Sequence, residues 1–329
     1  MNEISESTKY ILNLSILKGV GRVALRKLVQ LPGFAERNTQ QLADQMPSLK
    51  RAPDVSGAWE KAGEETETQV EMARKMGASI ITSRDAGYSP LLSMSKDDPF
   101  LLFVKGHLSN TPTNSVAIIG TRKPTSHGEV ITQRTTQFFV EQGWSVVSGL
   151  ALGCDAIAHQ AALNSGGHTV AVLAHGLQTI APTQNRQLAE DILDAGGALV
   201  SQYRFGREAI PAQFVERDQT QAGMSQGVVM IQSDLTGGSL HASRASLGYE
   251  RWLAVPYPTD ADRSRSDEKI QSNLLLSNGT PEEKMKLLAC SEDKLQRLII
   301  LRSKQDYPNL LTAFRTETYF EPHPPIRGD

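Results

Sequence analysis

Three glycine-bearing turns carry the chemistry of this chain. The first is Gly120-Thr121-Arg122-Lys123, which ends the apolar run Val116–Ile119 and precedes Ser126, His127 and Gly128 at the start of an amphipathic segment. The second is Ser148-Gly149-Leu150-Ala151-Leu152-Gly153, and the third is Gly237-Gly238-Ser239-Leu240. A strand, a tight glycine turn and a helix together aim backbone N–H groups and a helix dipole at an anion. Arg122 and Lys123 add full positive charge beside the first turn, so the expected ligand is a phosphate. Glycine also serves ordinary strand-to-helix turns, so it is convergence of the three on one concavity that would make a site.

Other residues carry weaker signals. Asp155 and His159 stand four apart at the start of a helix and share a face, which suits a structural pair or an acid/base pair. No nucleophile accompanies them, so the structural reading is taken, with no catalytic residue assigned. Arg217, in Gln213-Phe214-Val215-Glu216-Arg217-Asp218, either reaches the strand-end cleft or pairs with Glu216 or Asp218. Arg244 offers the same choice. The two cysteines, Cys154 and Cys290, lie far apart without metal-ligand spacing, which predicts a reduced cytoplasmic protein with no metal.

The elements that would position these residues follow from the hydrophobic pattern. Apolar runs at Val116–Ile119, Ser145–Ser148, Thr169–Ala174, Leu199–Ser201, Val228–Ile231 and Trp252–Val255 alternate with helical segments near Glu129–Gln142, Ala156–Asn164, Gln184–Ala195, Phe214–Ala222 and Leu240–Leu247. Buried strands joined by crossover helices predict an α/β, Rossmann-like, doubly wound and mostly parallel sheet, with ligands beyond the carboxyl ends of the strands. Ahead of it, Ser79–Thr82 and Leu101–Gly106 read as two short strands around turns at Tyr88-Ser89-Pro90 and Asp97-Asp98-Pro99.

Thr8–Leu49 has a helical, short-looped pattern centred on Gly19-Val20-Gly21. It suits either a helix-hairpin-helix module or a small bundle that uses the turn for packing. A charged helical connector runs from about Trp59 to Met76. The expected organisation is therefore a small helical domain over 1–75, an extended Rossmann-like domain over 76–285, and a short, partly disordered extension over 286–329. One helical stretch is expected near Glu282–Arg302, and the proline-bearing tail Phe320–Asp329 is expected to be disordered.

The 329 residues, 39% hydrophobic and 21% charged, suit an ordinary globular chain of one large domain with small flanking modules. No run reaches membrane-span length, and the polar, acidic start does not resemble a signal peptide. A net charge of −2 excludes a broadly basic nucleic-acid coat, so phosphate binding must be local.

Taken in order, these pieces resemble the DprA/Smf family of bacterial DNA-processing proteins. The resemblance rests on Val116–Gly128, Ser148–Leu163, Gly167–Leu177, Asn185–Leu188, Ala222–Ser225, Gly237–Leu240 and Ala254–Pro256, with Asp85–Leu108 as a lead-in and Leu17–Leu28 as the small N-terminal helical domain. It covers about residues 10 to 280. It implies a dimeric, non-enzymatic protein without cofactor, which binds single-stranded DNA and delivers a RecA-type recombinase onto DNA during uptake or recombination. The nucleic-acid-binding set so implied is Gly120, Thr121, Arg122, Lys123, Gly128, Ser148, Gly149, Leu150, Arg217, Gly237, Gly238 and Ser239, with no membrane association.

The chain departs from that family where Phe-Pro-x-Arg-Asn-Arg becomes Phe214-Val215-Glu216-Arg217-Asp218-Gln219. The usual Ser-Glu becomes Ser201-Gln202, and Pro-Gly becomes Pro256-Tyr257. These changes make the local field less positive. Two other readings share the fold. A nucleotide-cleaving phosphoribohydrolase would need an acid beside the turn at Thr236–Ser243, where no glutamate follows before Glu250. A nucleotide-sensing or partner-binding module in a mobile-element or defence setting would suit the weakened basic segment.

Overall fold

The computed structural model describes residues 4–31, 33–34, 41–42, 44, 55–108, 113–264 and 267–314. Part of the helical pattern expected up to Leu49 and the tail Phe320–Asp329 lie outside them. Among the described residues nine strands form one sheet: β1 (Ala78–Thr82), β2 (Leu101–Gly106), β3 (Ser115–Ile119), β4 (Ser145–Ser148), β5 (Thr169–Leu173), β6 (Ala198–Ser201), β7 (Gly227–Met230), β8 (Trp252–Pro256) and β9 (Leu298–Leu301). Their spatial order is β1-β2-β6-β5-β4-β3-β7-β8-β9. From β6 to β9 every pairing is parallel, while β1 and β2 add an antiparallel hairpin at the β6 edge.

The parallel strands β3 to β8 are buried at every position, as strands covered by helices on both faces require. The crossovers are α4 (Ser126–Glu141), α5 (Cys154–Asn164), α6 (Arg186–Asp194), α7 (Pro211–Gly223) and α8 (Ser239–Gly248). They stand within a few residues of their expected places. The chain steps outward from β3 through β4, β5 and β6, then returns to the other side of β3 with β7. That reversal opens a crevice at the carboxyl ends of β3 and β7, which is where an open α/β sheet holds its ligand.

The N-terminal helices α1 (Glu6–Ile16), α2 (Arg22–Val29) and α3 (Val55–Met76) share a core with the sheet. Ile11, Leu12, Leu28, Val70 and Ala73 belong to the same buried cluster as Phe103, Leu173 and Leu199. Arg26 Nη2 also donates to Ser95 O at 3.0 Å, holding α2 against the turn before β2.

The segment after β8 differs from the single helix expected over 282–302. Helices α9 (Gln271–Asn278) and α10 (Pro281–Leu288) are followed by a 3₁₀ stretch, and Leu298–Leu301 then joins the sheet as β9. A four-residue apolar run has no periodicity to distinguish strand from buried helix, and pairing to β8 decides it here.

Candidate functional site

A cleft of about 430 Å³ occupies the crevice between β3 and β7. Its walls are the loop Gly120–Lys123, the first half of α7 at Phe214, Arg217 and Asp218, the loop Ser233–Ser239, and Lys269 from beyond β8. Of the three expected turns, the first and third line it directly. The second reaches it only through Ala151, with Asp155 of α5 beside it.

The first loop is pinned from both sides. Thr121 N donates to Gln232 O at 2.8 Å, and Thr121 O accepts from Cys154 N at 3.1 Å. Gly120 permits this approach, because a Cβ there would stand 2.6 Å from Cys154 Sγ. Gln232 then ties the loop's far end: Thr125 N donates to its Oε1 at 2.9 Å, and its Nε2 donates to Thr125 Oγ1 at 2.8 Å. The Thr125 hydroxyl also accepts from Gly128 N, capping α4. The expected role of Gly128 therefore changes. Its N–H is engaged by the cap, it lies outside the cleft, and a Cβ on it would overlap the Gln232 amide.

Arg122 and Lys123 are exposed on this pinned loop. Helix α8 opens opposite them at Gly238, with no side chain capping its N-terminus. Leu240 N and His241 N bond back to Gly237 O and Gly238 O, so what this end offers an acceptor oxygen is the positive end of the helix dipole and the N–H groups ahead of those two. Lys269 Nζ stands 3.4 Å from Asp234 Oδ2. Burial works against charge on Asp234, but bonds from Thr236 N and Oγ1 and from Lys269 outweigh it and hold that carboxyl below its usual range.

Arg217 is placed otherwise than a phosphate-binding cation would be. Its side chain is 7% exposed. Nη1 donates to Gly149 O at 2.5 Å and Val172 O at 3.1 Å, and Nε lies 2.9 Å from Asp218 Oδ1. It thus binds the backbone beneath the cleft, and its pairing with Asp218 is buried rather than a surface contact. Glu216 turns away to Tyr203, whose hydroxyl donates to it at 2.7 Å.

Ser148, Gly149 and Leu150 make the floor. The Ser148 hydroxyl donates to Ile118 O at 2.7 Å, Gly149 N donates to Asp155 Oδ2 at 3.1 Å, and Leu150 is fully buried. Asp155 and His159 are not hydrogen-bonded to each other. His159 Nδ1 lies 2.7 Å from Thr169 Oγ1, and burial pushes its pKa down to about 3, so the ring is neutral. Burial raises Asp155, against the opposing charge of Arg217 and the backbone bonds it accepts. Arg244 Nε and Nη2 both donate to Leu287 O, so it too anchors backbone.

Phe214, Gln232 and Lys269 are site residues that sequence patterning did not single out, and Asp218, noted in the sequence as a partner option for Arg217 and a departure from the family pattern, lines the cleft itself. Arg122 and Arg217 lie over the Phe214 ring at 6.0 and 5.8 Å from its centroid. Burial, with the neighbouring Asp155 charge, brings the Asp218 carboxyl up to about 7 despite Arg217 and Arg122. Chemically the cleft offers two exposed cations, an uncapped helix N-terminus and an aromatic face, which suits a phosphate joined to a planar base.

Residues 79–280, more than half of the chain, match the family model described as DNA recombination-mediator protein A. Protein Smf of Escherichia coli (strain K12) is 36% identical over 180 residues, covering 54% of this chain and 48% of that protein. The chain spans about half to three-fifths of the length of the curated relatives it matches. The structure of DNA processing protein A from Streptococcus pneumoniae superposes with a TM-score of 0.71 over 96% of this chain and all of that one, at 23% identity. DNA processing protein A from Helicobacter pylori, described for its unique single-stranded DNA binding mode, matches at 26% identity and a TM-score of 0.56 over 70% of this chain and 95% of that one.

Proposed function

The chain belongs to the DNA recombination-mediator protein A family, the DprA/Smf proteins, and from that premise we propose that it binds single-stranded DNA across the β3–β7 cleft. The observation that carries this reading is the exposed pair Arg122 and Lys123, held rigidly opposite the uncapped N-terminus of α8. Gly120, Thr121, Arg122, Lys123, Gly237, Gly238 and Ser239 form the phosphate-facing surface. Ser148, Gly149, Leu150 and Arg217 hold the floor beneath, and Gly128 seats the Gln232 clamp. Phe214 supplies a face on which a base stacks regardless of sequence.

The test is a single-strand titration at two salt concentrations, wild type beside Arg122→Ala. Binding that weakens with salt is expected, and the variant loses affinity severalfold while its salt slope falls by about 0.7, one phosphate contact. Absence of binding at low salt, or an unchanged Arg122→Ala, overturns the reading. In the same proposal the protein acts in the cytoplasm as a homodimer without catalysis, and assists a RecA-type recombinase onto the bound strand. Recombinase filament assembly on protein-coated single strands, and mass by light scattering, check those two steps.

A second reading, a nucleotide-sensing module, draws on Asp155, Asp218 and Asp234 in the same cleft, which offset its cations. A small nucleotide that raises the melting temperature, where oligonucleotides do nothing, would favour it over strand binding.

A further inference from the structure

A second hollow, of about 270 Å³, lies on the other side of the α7–α8 pair. Three cations from three separate parts of the chain meet there: Lys96 from the turn before β2, Arg244 from α8, and Lys294 from the segment after α10. Neither lysine has a carboxylate in ion-pair range among the described residues. Arg244 spends Nε and Nη2 on Leu287 O, which fixes its guanidinium in the wall, and Nη1 makes no bond among the described residues. The one acid in the lining among the described residues, Asp97, is already engaged: Tyr249 Oη donates to it at 2.9 Å and Arg22 stands 3.6 Å away. Lys294 has the exposed Asp293 carboxylate beside it in sequence, so the unpaired positive charge here is that of Lys96 and of the Arg244 Nη1 end, and cations around a concavity favour an anion.

The two hollows share their helices. Asp218 of the first and Gln219 of the second are neighbours on α7, and Ser239 of the first is two residues from His241 of the second on α8. Ser239 and His241, both in the N-terminal turn of α8, thus border the two hollows.

We propose that this second hollow is a phosphate site, which takes the phosphodiester of a strand continuing out of the β3–β7 cleft. It rests on the single-strand reading for the source of that phosphate. A free nucleotide carries the same chemistry and is the other source. With this site the basic track wraps the helix pair, and Lys96, Arg244 and Lys294 supply positive charge to the hollow that the uncharged Gln219 itself lines.

The experiment uses the full chain, the double variant Lys96→Ala/Lys294→Ala and Arg122→Ala, with single strands of about four and about sixteen nucleotides. Both lysines are at least partly exposed, so unchanged thermal melting of the variant is expected. The lysine variant should bind the short strand like wild type, but the long strand about tenfold more weakly, with the salt slope reduced by about 1.4 for two lost contacts. Arg122→Ala should weaken both lengths. Equal binding of the long strand by wild type and lysine variant, or equal loss on both lengths, overturns the second site.

Cys290 lines the hollow and is partly exposed, whereas Cys154 is buried, so alkylation reads this hollow independently. The long strand should slow alkylation of Cys290 in wild type and not in the lysine variant. Protection by a nucleoside monophosphate alone, lost in the lysine variant, would assign the same site to a free nucleotide, even if strand binding itself fails. No protection by either ligand overturns the site. Loss of short-strand binding in wild type would sink only the first cleft's reading.

Discussion

Arg217 reaches the Gly149 carbonyl with Nη1 at 2.5 Å, and the same guanidinium fills the space that a side chain on residue 149 would need. The two residues are 68 positions apart, yet each presupposes the other. Gly149 thus has a packing reason beyond turn geometry, and Arg217 a structural one beyond charge.

Gly149→Ala is the direct probe of that fit. The new methyl must displace a buried, multiply bonded guanidinium rather than a free side-chain end, so an overpacking cost of about 1–3 kcal/mol is expected. In an Arg217→Met background the obstacle is thinner and the same alanine should cost less. Urea denaturation of the double-mutant cycle measures the coupling, and strictly additive effects would refute the fit.

Asp218 gives the site a pH dependence. Burial and the Asp155 charge bring its carboxyl up to about 7, against Arg217 and Arg122, so it loses its proton near neutrality. The ionised form opposes a phosphate strand, and affinity for single strands should therefore rise as pH falls through this range. Asp218→Asn should bind more tightly than wild type above neutrality and show a flatter pH profile. Asp155, also raised by burial, stays in both proteins, so the difference between them isolates Asp218.

The same shift has a sign for stability. A carboxyl whose folded pKa is raised contributes stability that is full below its unfolded value of about 3.9 and is lost as pH rises through about 7. Chemical denaturation at several pH values should show wild type losing stability across that window more steeply than Asp218→Asn.

Much of the architecture could be read from the chain because strands such as Val116–Ile119 are continuous apolar runs buried on both faces, with glycine turns and helical periods between. The first and third turns of the site were legible for the same reason, since strand ends in an open α/β sheet converge by topology. What resisted reading depends on contacts remote in sequence. Nothing near Arg217 says that its donors turn inward to residues 149 and 172. Lys269 sits in a polar segment without periodicity, and Gln232 matters only because Thr125 lies across from it. Leu298–Leu301 becomes a strand through its register with Leu253–Pro256, information that its own four residues lack.

The Gln232 clamp is a positioning device rather than a ligand contact. Gln232→Ala removes both bonds to Thr125, and a net loss of about 1–2 kcal/mol in stability is expected. Single-strand affinity should fall as well, because Arg122 and Lys123 then ride on a loop tied at one end only. Gln232→Glu keeps the acceptor for Thr125 N and loses the donor to Thr125 Oγ1, so it should fall between wild type and alanine. Full affinity in the alanine variant would show that the loop needs no clamp.

Arg251 is 2% exposed, and no carboxylate pairs with it among the described residues. Its guanidinium serves four carbonyls: Nη1 donates to Ala222, Gly223 and Ser225 at 2.6–2.7 Å, and Nη2 donates to Leu91. Two of these lie at the end of α7, where carbonyls lack intrahelical donors and the helix dipole favours a cation. Burial lowers its pKa to about 10, which still leaves it charged at neutral pH. Arg251→Met keeps the bulk but strands Gly223 O, Ser225 O and Leu91 O, while Ala222 O keeps Ser225 N, so a loss of about 3 kcal/mol is expected in denaturant titrations. Lysine should rescue little, because one ammonium cannot reproduce the planar fork that reaches both α7 and Leu91. Since α7 carries Phe214 and Arg217 at its other end, the methionine variant should also bind strands more weakly under conditions where it remains folded. A methionine variant as stable as wild type would mean that water or backbone shifts satisfy the three stranded carbonyls instead.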